Sequence, residues 1–173
     1  MSETIVYWIT EVDLLGRLRL AASDAGLCKL ALGRESDETF QTWLARVIRP
    51  CCVVFQRSPP IDMALTELSA YLSGRLQSFK TPLDPRGTPF QRQVWAGVAA
   101  IRYGETATYG EIAARIGHPK AVRAVGAANG ANPLPIFVPC HRVVGTDGRL
   151  RGYGGGLDVK AALLRLERSS LGR

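Results

Sequence analysis

A chain of 173 residues, 46% hydrophobic and 21% charged with mean hydropathy +0.02, has the make-up of one large globular domain or two small ones, not of a disordered tail. No stretch approaches the roughly 18 apolar residues of a membrane span, and the start MSETIVYWITEVD carries early acids and no basic head, unlike a secretory signal. The net charge of +7 is unevenly placed: residues 1–107 hold 12 Lys/Arg against 11 Asp/Glu, and residues 108–173 hold 10 against 4. A basic C-terminal third points to a polyanionic partner, or to a basic surface kept for solubility. Cys28, Cys51, Cys52 and Cys140, in a chain read as cytoplasmic, are expected to be thiols and not disulfides.

In chain order, the β-branched and aromatic IVYWITEV predicts a strand, followed by GRLRLAAS, the turn SDAG and LCKLAL. CCVVF at 51–55 predicts a further short apolar strand, with Cys28, Cys51 and Cys52 as core thiols. A helix fits residues 62–76 through the stripe Leu65, Leu68, Leu72 and Leu76. The prolines and glycine of FKTPLDPRGTP then mark a connection. The predicted organisation is an α+β fold: an N-terminal domain over 1–80 with an antiparallel sheet and a helix, a linker over 81–88, and a mostly helical C-terminal domain over 89–173.

Two helix starts of one design open the second half. In TPFQ, Thr88 caps, Pro89 takes the first helical position and Gln91 closes the box; Phe90, Val94, Val98 and Ile101 then recur at helical spacing. In TYGE, Thr108 caps and Glu111 closes a second, shorter helix that stops at Gly117. AVRAVGAANGA predicts a third, to about residue 130. The pair is either a helix-turn-helix or a plain helical hairpin. Its second helix has Arg123 as its one long polar side chain, with Ala121, Ala124, Gly126, Ala127, Ala128 and Gly130 around it. Such a helix cannot read base edges, which takes several Arg, Asn or Gln side chains. Its small residues suit close approach to a sugar–phosphate groove or tight packing in a core.

FVPCHRVVG at 137–145 places Cys140 against His141, one of two histidines in the chain. A structural zinc site is poorly supplied, lacking a second close Cys/His pair in this half. A buried inert cysteine and a reactive thiol both remain open. Pro139 argues against a regular central strand, and His141 and Arg142 bring charge that lowers a thiol's pKa.

PCHRVVG, with NPLPIFV before it and YGGGLDVKAALLRLE after it, resembles the active-site region of the O6-alkylguanine-DNA alkyltransferases. The resemblance runs back through GTPFQRQVW, YGETATYGEIAARIG and KAVRAVGAANGANP, covering roughly residues 87–167; residues 1–86 fit the family's variable N-terminal domain in layout only. It implies suicide repair, in which Cys140 takes the alkyl group from guanine O6 once and irreversibly. O4-alkylthymine is a second candidate substrate. It also implies His141 as base acting through a water, Glu167 as the residue orienting it, Tyr109 as donor to the leaving guanine, and Asn132 as brace of the cysteine's turn. Neighbouring residues in extended chain diverge, which is a reason for that water.

Pro135, Val138, Tyr153, Gly154 and Gly155 would frame the base and alkyl group. The family often has serine where Gly154 stands, which leaves the hydrogen bond to O6 to a backbone amide and raises the question of a wider pocket. Duplex DNA containing alkylated guanine is the implied partner, bound through the minor groove without sequence specificity. Arg123 would fill the gap left by the flipped base, and Thr108, Tyr109, Ala121, Ala124, Gly126 and Ala127 would line the contact. A monomer is expected, with cooperativity along DNA an open question. No cofactor and no metal are expected; some relatives carry an N-terminal zinc, but this N-terminal half has no histidine. Three readings compete: a lesion-binding relative without chemistry, a cysteine hydrolase of another fold, and a helix-turn-helix regulator.

Overall fold

Alternation of large apolar and small or polar side chains makes three consecutive segments pair as strands. β1 (Ile5–Val12), β2 (Gly16–Ser23) and β3 (Gly26–Ala31) run antiparallel, from Val6 opposite Ala22 to Val12 opposite Gly16, then from Arg19 opposite Ala31 to Ser23 opposite Gly26. The computed structural model describes residues 3–48 and 52–172 and divides into two compact units, Met1–Arg86 and Gly87–Arg173.

In the first unit a fourth strand, β4 (Val53–Phe55), lies parallel to β1 at the sheet edge, so the order is β3-β2-β1-β4 and the sheet is not wholly antiparallel. β2 is buried on both faces from Leu18 onward. Ile5, Ala21, Cys28 and Ala31 meet Phe40 and Leu44 of α1 (Asp37–Ile48) in one cluster. Helix α2 (Pro59–Leu72) packs on β2 and β3 through Ile61, Ala64, Leu68 and Tyr71.

Three expectations are corrected here. Helix α1 was not expected at all; the signal was Ser36, whose Oγ accepts from Thr39 N at 3.1 Å, followed by two acids. Helix α2 begins and ends earlier than 62–76, because Pro59 takes its first position. Its buried stripe is therefore turned to include Ile61 and Tyr71, and Leu76 lies beyond its end. Finally, Val53 and Phe55 are 44% and 54% exposed and Cys52 is exposed, because β4 is an edge strand and not a core one. Cys51 lies outside the described residues.

Residues 79–86 are fastened to the first unit. Glu67 accepts from Lys80 N and from the Thr81 amide and hydroxyl, Leu27 N donates to Pro82 O, and Asp84 and Arg86 tie back to Ser23 and Glu3.

The second unit is built from the cap signals already noted. Thr88 and Thr108 each close a capping box, with Gln91 and Glu111, at the starts of α3 (Pro89–Ala99) and α4 (Tyr109–Arg115). Helix α4 is stopped just past its end by Gly117 at φ +78°, where His118 N reaches Ala113 O and Gly117 N reaches Ala114 O, the paired bonds of a Schellman stop. Helix α5 (Val122–Gly130) follows, and Trp95 Nε1 of α3 donates to its Ala128 O at 2.8 Å. Two short parallel strands, β5 (Ala107–Thr108) and β6 (Val143–Val144), pair Ala107 with Val143 and Thr108 with Val144. The last helix is α6 (Leu157–Leu171). No helix among the described residues is long and apolar enough to cross a membrane.

Candidate active site

The segment leading to Cys140 is held by one side chain. Asn132 Nδ2 donates to Val138 O at 2.9 Å while its Oδ1 accepts from Leu134 N at 3.0 Å, and Val138 N donates to Leu134 O at 2.8 Å. Between them Ile136 sits at φ +75° and is buried. A β-branched residue in that region is strained, which persists only where its surroundings over-determine it.

Pro139 then leads into a 3-10 turn over Cys140–Arg142, with Arg142 N donating to Pro139 O at 2.9 Å. This corrects the extended geometry expected for Cys140 and His141. In a turn of three residues per revolution successive side chains point about 120° apart, so the two still diverge, for a different reason.

His141 is directed to α6. Its Nε2 lies 2.8 Å from Glu167 Oε1 with both side chains fully buried. The same carboxylate accepts from Arg142 Nε at 3.0–3.1 Å, from Arg142 Nη2 at 2.9 Å, and from Gly104 N at 2.9 Å. Arg142 Nη1 donates to Ile101 O at 2.7 Å, and its guanidinium stands 5.6 Å over the Tyr103 ring. Glu167 is thus placed by four donors, and its charge is balanced by Arg142 before His141 takes up any proton. Burial pushes the pKa of His141 below its ordinary 6.5; Glu167 pulls the other way, and Arg142 adds to the depression. His141 is a neutral imidazole whose Nε2 side is committed to Glu167, which makes Nδ1 the nitrogen for proton exchange.

The sulfur environment differs from the sequence expectation. Cys140 is 6% exposed, and burial pushes its thiol up to about 11. The opposing influences are the Asn132 side chain, the charge of Lys160, and the backbone N–H groups of Cys140 and His141. Arg142, expected to lower it, is turned to Glu167 instead. Sequence reasoning missed Lys160, whose Nζ is buried and donates to Val143 O at 2.7 Å and to Arg151 O at 2.8 Å. A signal existed: Lys160, Leu163, Leu164 and Glu167 share one helical face, so two charged residues stand on an apolar stripe.

Tyr109 opens α4 directly after β5, and the β5–β6 pairing brings it toward the segment that follows Cys140. Burial, and then Cys140, raise its phenol pKa, while Arg151 lowers it. Its ring lies beside Gly126 of α5, where an added Cβ would stand 3.8 Å from Cδ1. On the outer face of α5, Arg123, Ala124, Ala127 and Gly130 are exposed and Ala121 is half-buried. Thr108 is occupied in its cap. Tyr153 stands edge-on to His141, ring centroids 6.4 Å apart. Pro135 pairs with Val138 in an isolated bridge, Gly155 is buried, and Gly154 is exposed with no atom within 4 Å of where a Cβ would stand. Arg123, Ala124, Ala127 and Gly154 are the expected site residues that the structure leaves on the surface, apart from the buried group around Cys140. Among the described residues, no three His, Cys, Asp or Glu side chains are grouped to hold a metal ion.

The sequence models for the DNA-binding domain and the ribonuclease-like domain of 6-O-methylguanine DNA methyltransferase match residues 89–169 and 5–85. A methylated-DNA–protein-cysteine methyltransferase of Methanosarcina acetivorans is 58% identical over 166 residues, covering 95% of this chain and 99% of that one. The chain belongs to the 6-O-methylguanine DNA methyltransferase family. A constitutive Bacillus subtilis member is 42% identical across 95% of this chain and 96% of its own. The Mycobacterium tuberculosis O6-methylguanine methyltransferase superposes with TM-score 0.81 at 42% identity over 95% of this chain and 93% of its own. The same organism's OGT, solved in complex with DNA, gives the same TM-score.

Glu167→Gln leaves the Arg142 guanidinium buried without a counter-charge, and a loss of about 3–5 kcal/mol in unfolding free energy is expected by urea titration. Removing both charges in Glu167→Gln/Arg142→Met should lose clearly less than the single change. Because His141 has a depressed pKa in the folded state, the unfolded chain binds more protons once the pH drops below 6.5. Stability should therefore decline from pH 7 toward 5, and His141→Asn should flatten that decline. A flat wild-type profile in urea titrations across this range would refute the assignment.

Proposed function

We propose that this protein repairs O6-alkylguanine in duplex DNA by a single, irreversible transfer of the alkyl group to Cys140. The observation that carries the reading is a buried thiol on a turn whose next residue, His141, is fixed by Glu167 at 2.8 Å: a nucleophile, its base and the base's orienter. The kinship with methylated-DNA–protein-cysteine methyltransferases, and with a relative solved on DNA, supports it.

The Sγ–C bond forms as the C–O6 bond breaks. The thiol proton passes through a water to His141, whose imidazolium Glu167 then stabilises, and the electron pair released into the guanine is met by a proton from the Tyr109 phenol. The Tyr109 phenolate is then reprotonated as the His141 imidazolium gives up its proton, so the net change moves one proton from thiol to guanine and leaves no lasting charge. The product is a thioether. Unlike a thioester it offers water no carbonyl carbon, so the thiol is not regenerated and each molecule acts once.

The alkylated base is unreachable within the stack and must be extruded, at a cost of a few kcal/mol. The exposed alanine and glycine face of α5 suits the minor groove, with Arg123 entering the gap. Lacking readers of base edges, that face accepts any neighbouring sequence, as random lesions require. Pro135, Val138, Tyr153, Gly154 and Gly155 frame the pocket, and the open space at Gly154 leaves room for larger alkyl groups. The protein works as a cytoplasmic monomer.

Incubation with an O6-methylguanine duplex should add one methyl in place of the thiol hydrogen, on the peptide containing Cys140, and stop at one equivalent by intact-protein mass. Cys140→Ser should leave the lesion untouched; turnover beyond one equivalent, or repair by that variant, would sink the reading. For Arg123→Ala, the rate loss on duplex should exceed the loss on free O6-benzylguanine by about tenfold or more, the scale of a helped extrusion. Equal losses would remove the gap-filling role.

A further inference from the structure

One cation near the site is left without a role by the chemistry above. Arg151 lies in the loop between β6 and α6, and both its backbone and its side chain are held. Its carbonyl accepts from the buried Lys160 Nζ at 2.8 Å, and that same ammonium also binds Val143 O on β6. The loop thereby has its downstream limb strapped to the strand that follows Cys140. The upstream limb is closed by Gly145 N donating to Arg149 O at 3.0 Å, with Gly148 at φ +73° in the turn. Two residues beyond Arg151, Tyr153 stands edge-on to His141. The guanidinium therefore projects from a fixed point on the loop that carries Tyr153.

Its only ion-pair partner among the described residues is Asp147, with Nη2 to Oδ2 at 2.8 Å, and the two side chains are 57% and 42% exposed. An exposed pair of this kind contributes little to stability and is readily exchanged for another anion. Arg149 adds a second guanidinium 3.8 Å from the same carboxylate, so the loop presents two arginines around one acid. The charge of Arg151 also acts on the Tyr109 phenol, lowering its pKa against the burial that raises it.

Resting on the proposed function, we infer that Arg151 binds a backbone phosphate of the extruded nucleotide, exchanging Asp147 for the phosphodiester as the base enters. A flipped nucleotide can bury its base but not its two flanking phosphates, which must stay at the rim. A guanidinium there binds two phosphate oxygens at once, with a geometry that a lysine cannot reproduce. The contact anchors the nucleotide while the thiol reacts, and it carries no sequence information.

The test compares rates on an O6-methylguanine duplex and on free O6-benzylguanine, which has no phosphate, for wild type, Arg151→Ala and Arg151→Lys across a salt series. For Arg151→Ala the loss on duplex should exceed the loss on the free base by about tenfold, the low end for a hydrogen bond to a charged group. The slope of log affinity against log salt should also become shallower by about one phosphate contact. Arg151→Lys should restore the slope, by keeping the charge, but only part of the rate. Equal losses on both substrates, or an unchanged duplex rate and slope, would overturn the inference while leaving the transfer chemistry standing. A wild-type protein that gains no alkyl group from either substrate would instead overturn the proposed function, and this inference with it.

Discussion

The Glu167 carboxylate, buried among His141, Arg142 and the Gly104 amide, is the point on which the site depends. A carboxylate with no exposed surface is stable only if its lone pairs are filled and its charge matched. Arg142 supplies the charge and, with its contact to Ile101 O, joins the turn after Cys140 to the end of α3. Gly104 supplies a backbone donor from the loop that leads to β5. His141 takes the remaining position and is thereby held in one tautomer. The phase of α6 is fixed by the same demand, since Lys160 and Glu167 must lie on one buried face with Leu163 and Leu164.

This arrangement keeps the nucleophile quiet. A thiol pushed up to about 11 by burial is a poor target for passing electrophiles in water. The groups that favour its anion, Asn132, Lys160 and two backbone amides, are built in beside it, and the neutral imidazole of His141 follows it in the same turn. Selectivity then comes from geometry: the sulfur is available to an electrophile placed in the pocket rather than to one arriving from solvent. The strained backbone at Ile136 and the clamp made by Asn132 belong to the same design, since both set where the sulfur points.

Much of the fold was legible because its signals are local. The capping boxes at Thr88 and Thr108 and the stop at Gly117 depend on a few adjacent residues, and so does the hairpin through Ser23 and Gly26. Helix α1 was passed over although its signals are local too: Ser36 caps it, and Phe40, Trp43, Leu44 and Val47 follow at helical spacing. Helix α2 was misplaced by following leucines and passing over Ser58 and Pro59. The site divides the same way. Cys140, His141 and Glu167 stand out through a motif, whereas the orientation of Arg142 depends on a residue far along the chain. Adjacency in sequence therefore misjudged what surrounds the sulfur: the nearest charge in the chain was spent on Glu167, and Lys160 acts from another element. The 3-10 turn at Cys140 was equally hidden, because the segment leading into it is clamped by Asn132 and its side chains are held from α6, not by the residues Cys-His-Arg alone.

The distance along the chain between His141 and Glu167, 26 residues, carries a consequence for the birth of the protein. During synthesis the sulfur leaves the ribosome ahead of the carboxylate that holds His141. Until that later segment has emerged and coiled into place, the nascent molecule carries a cysteine with no working partner. A reagent that can be spent only once thus gains its shelter from solvent and its fixed imidazole together, when α6 packs into place.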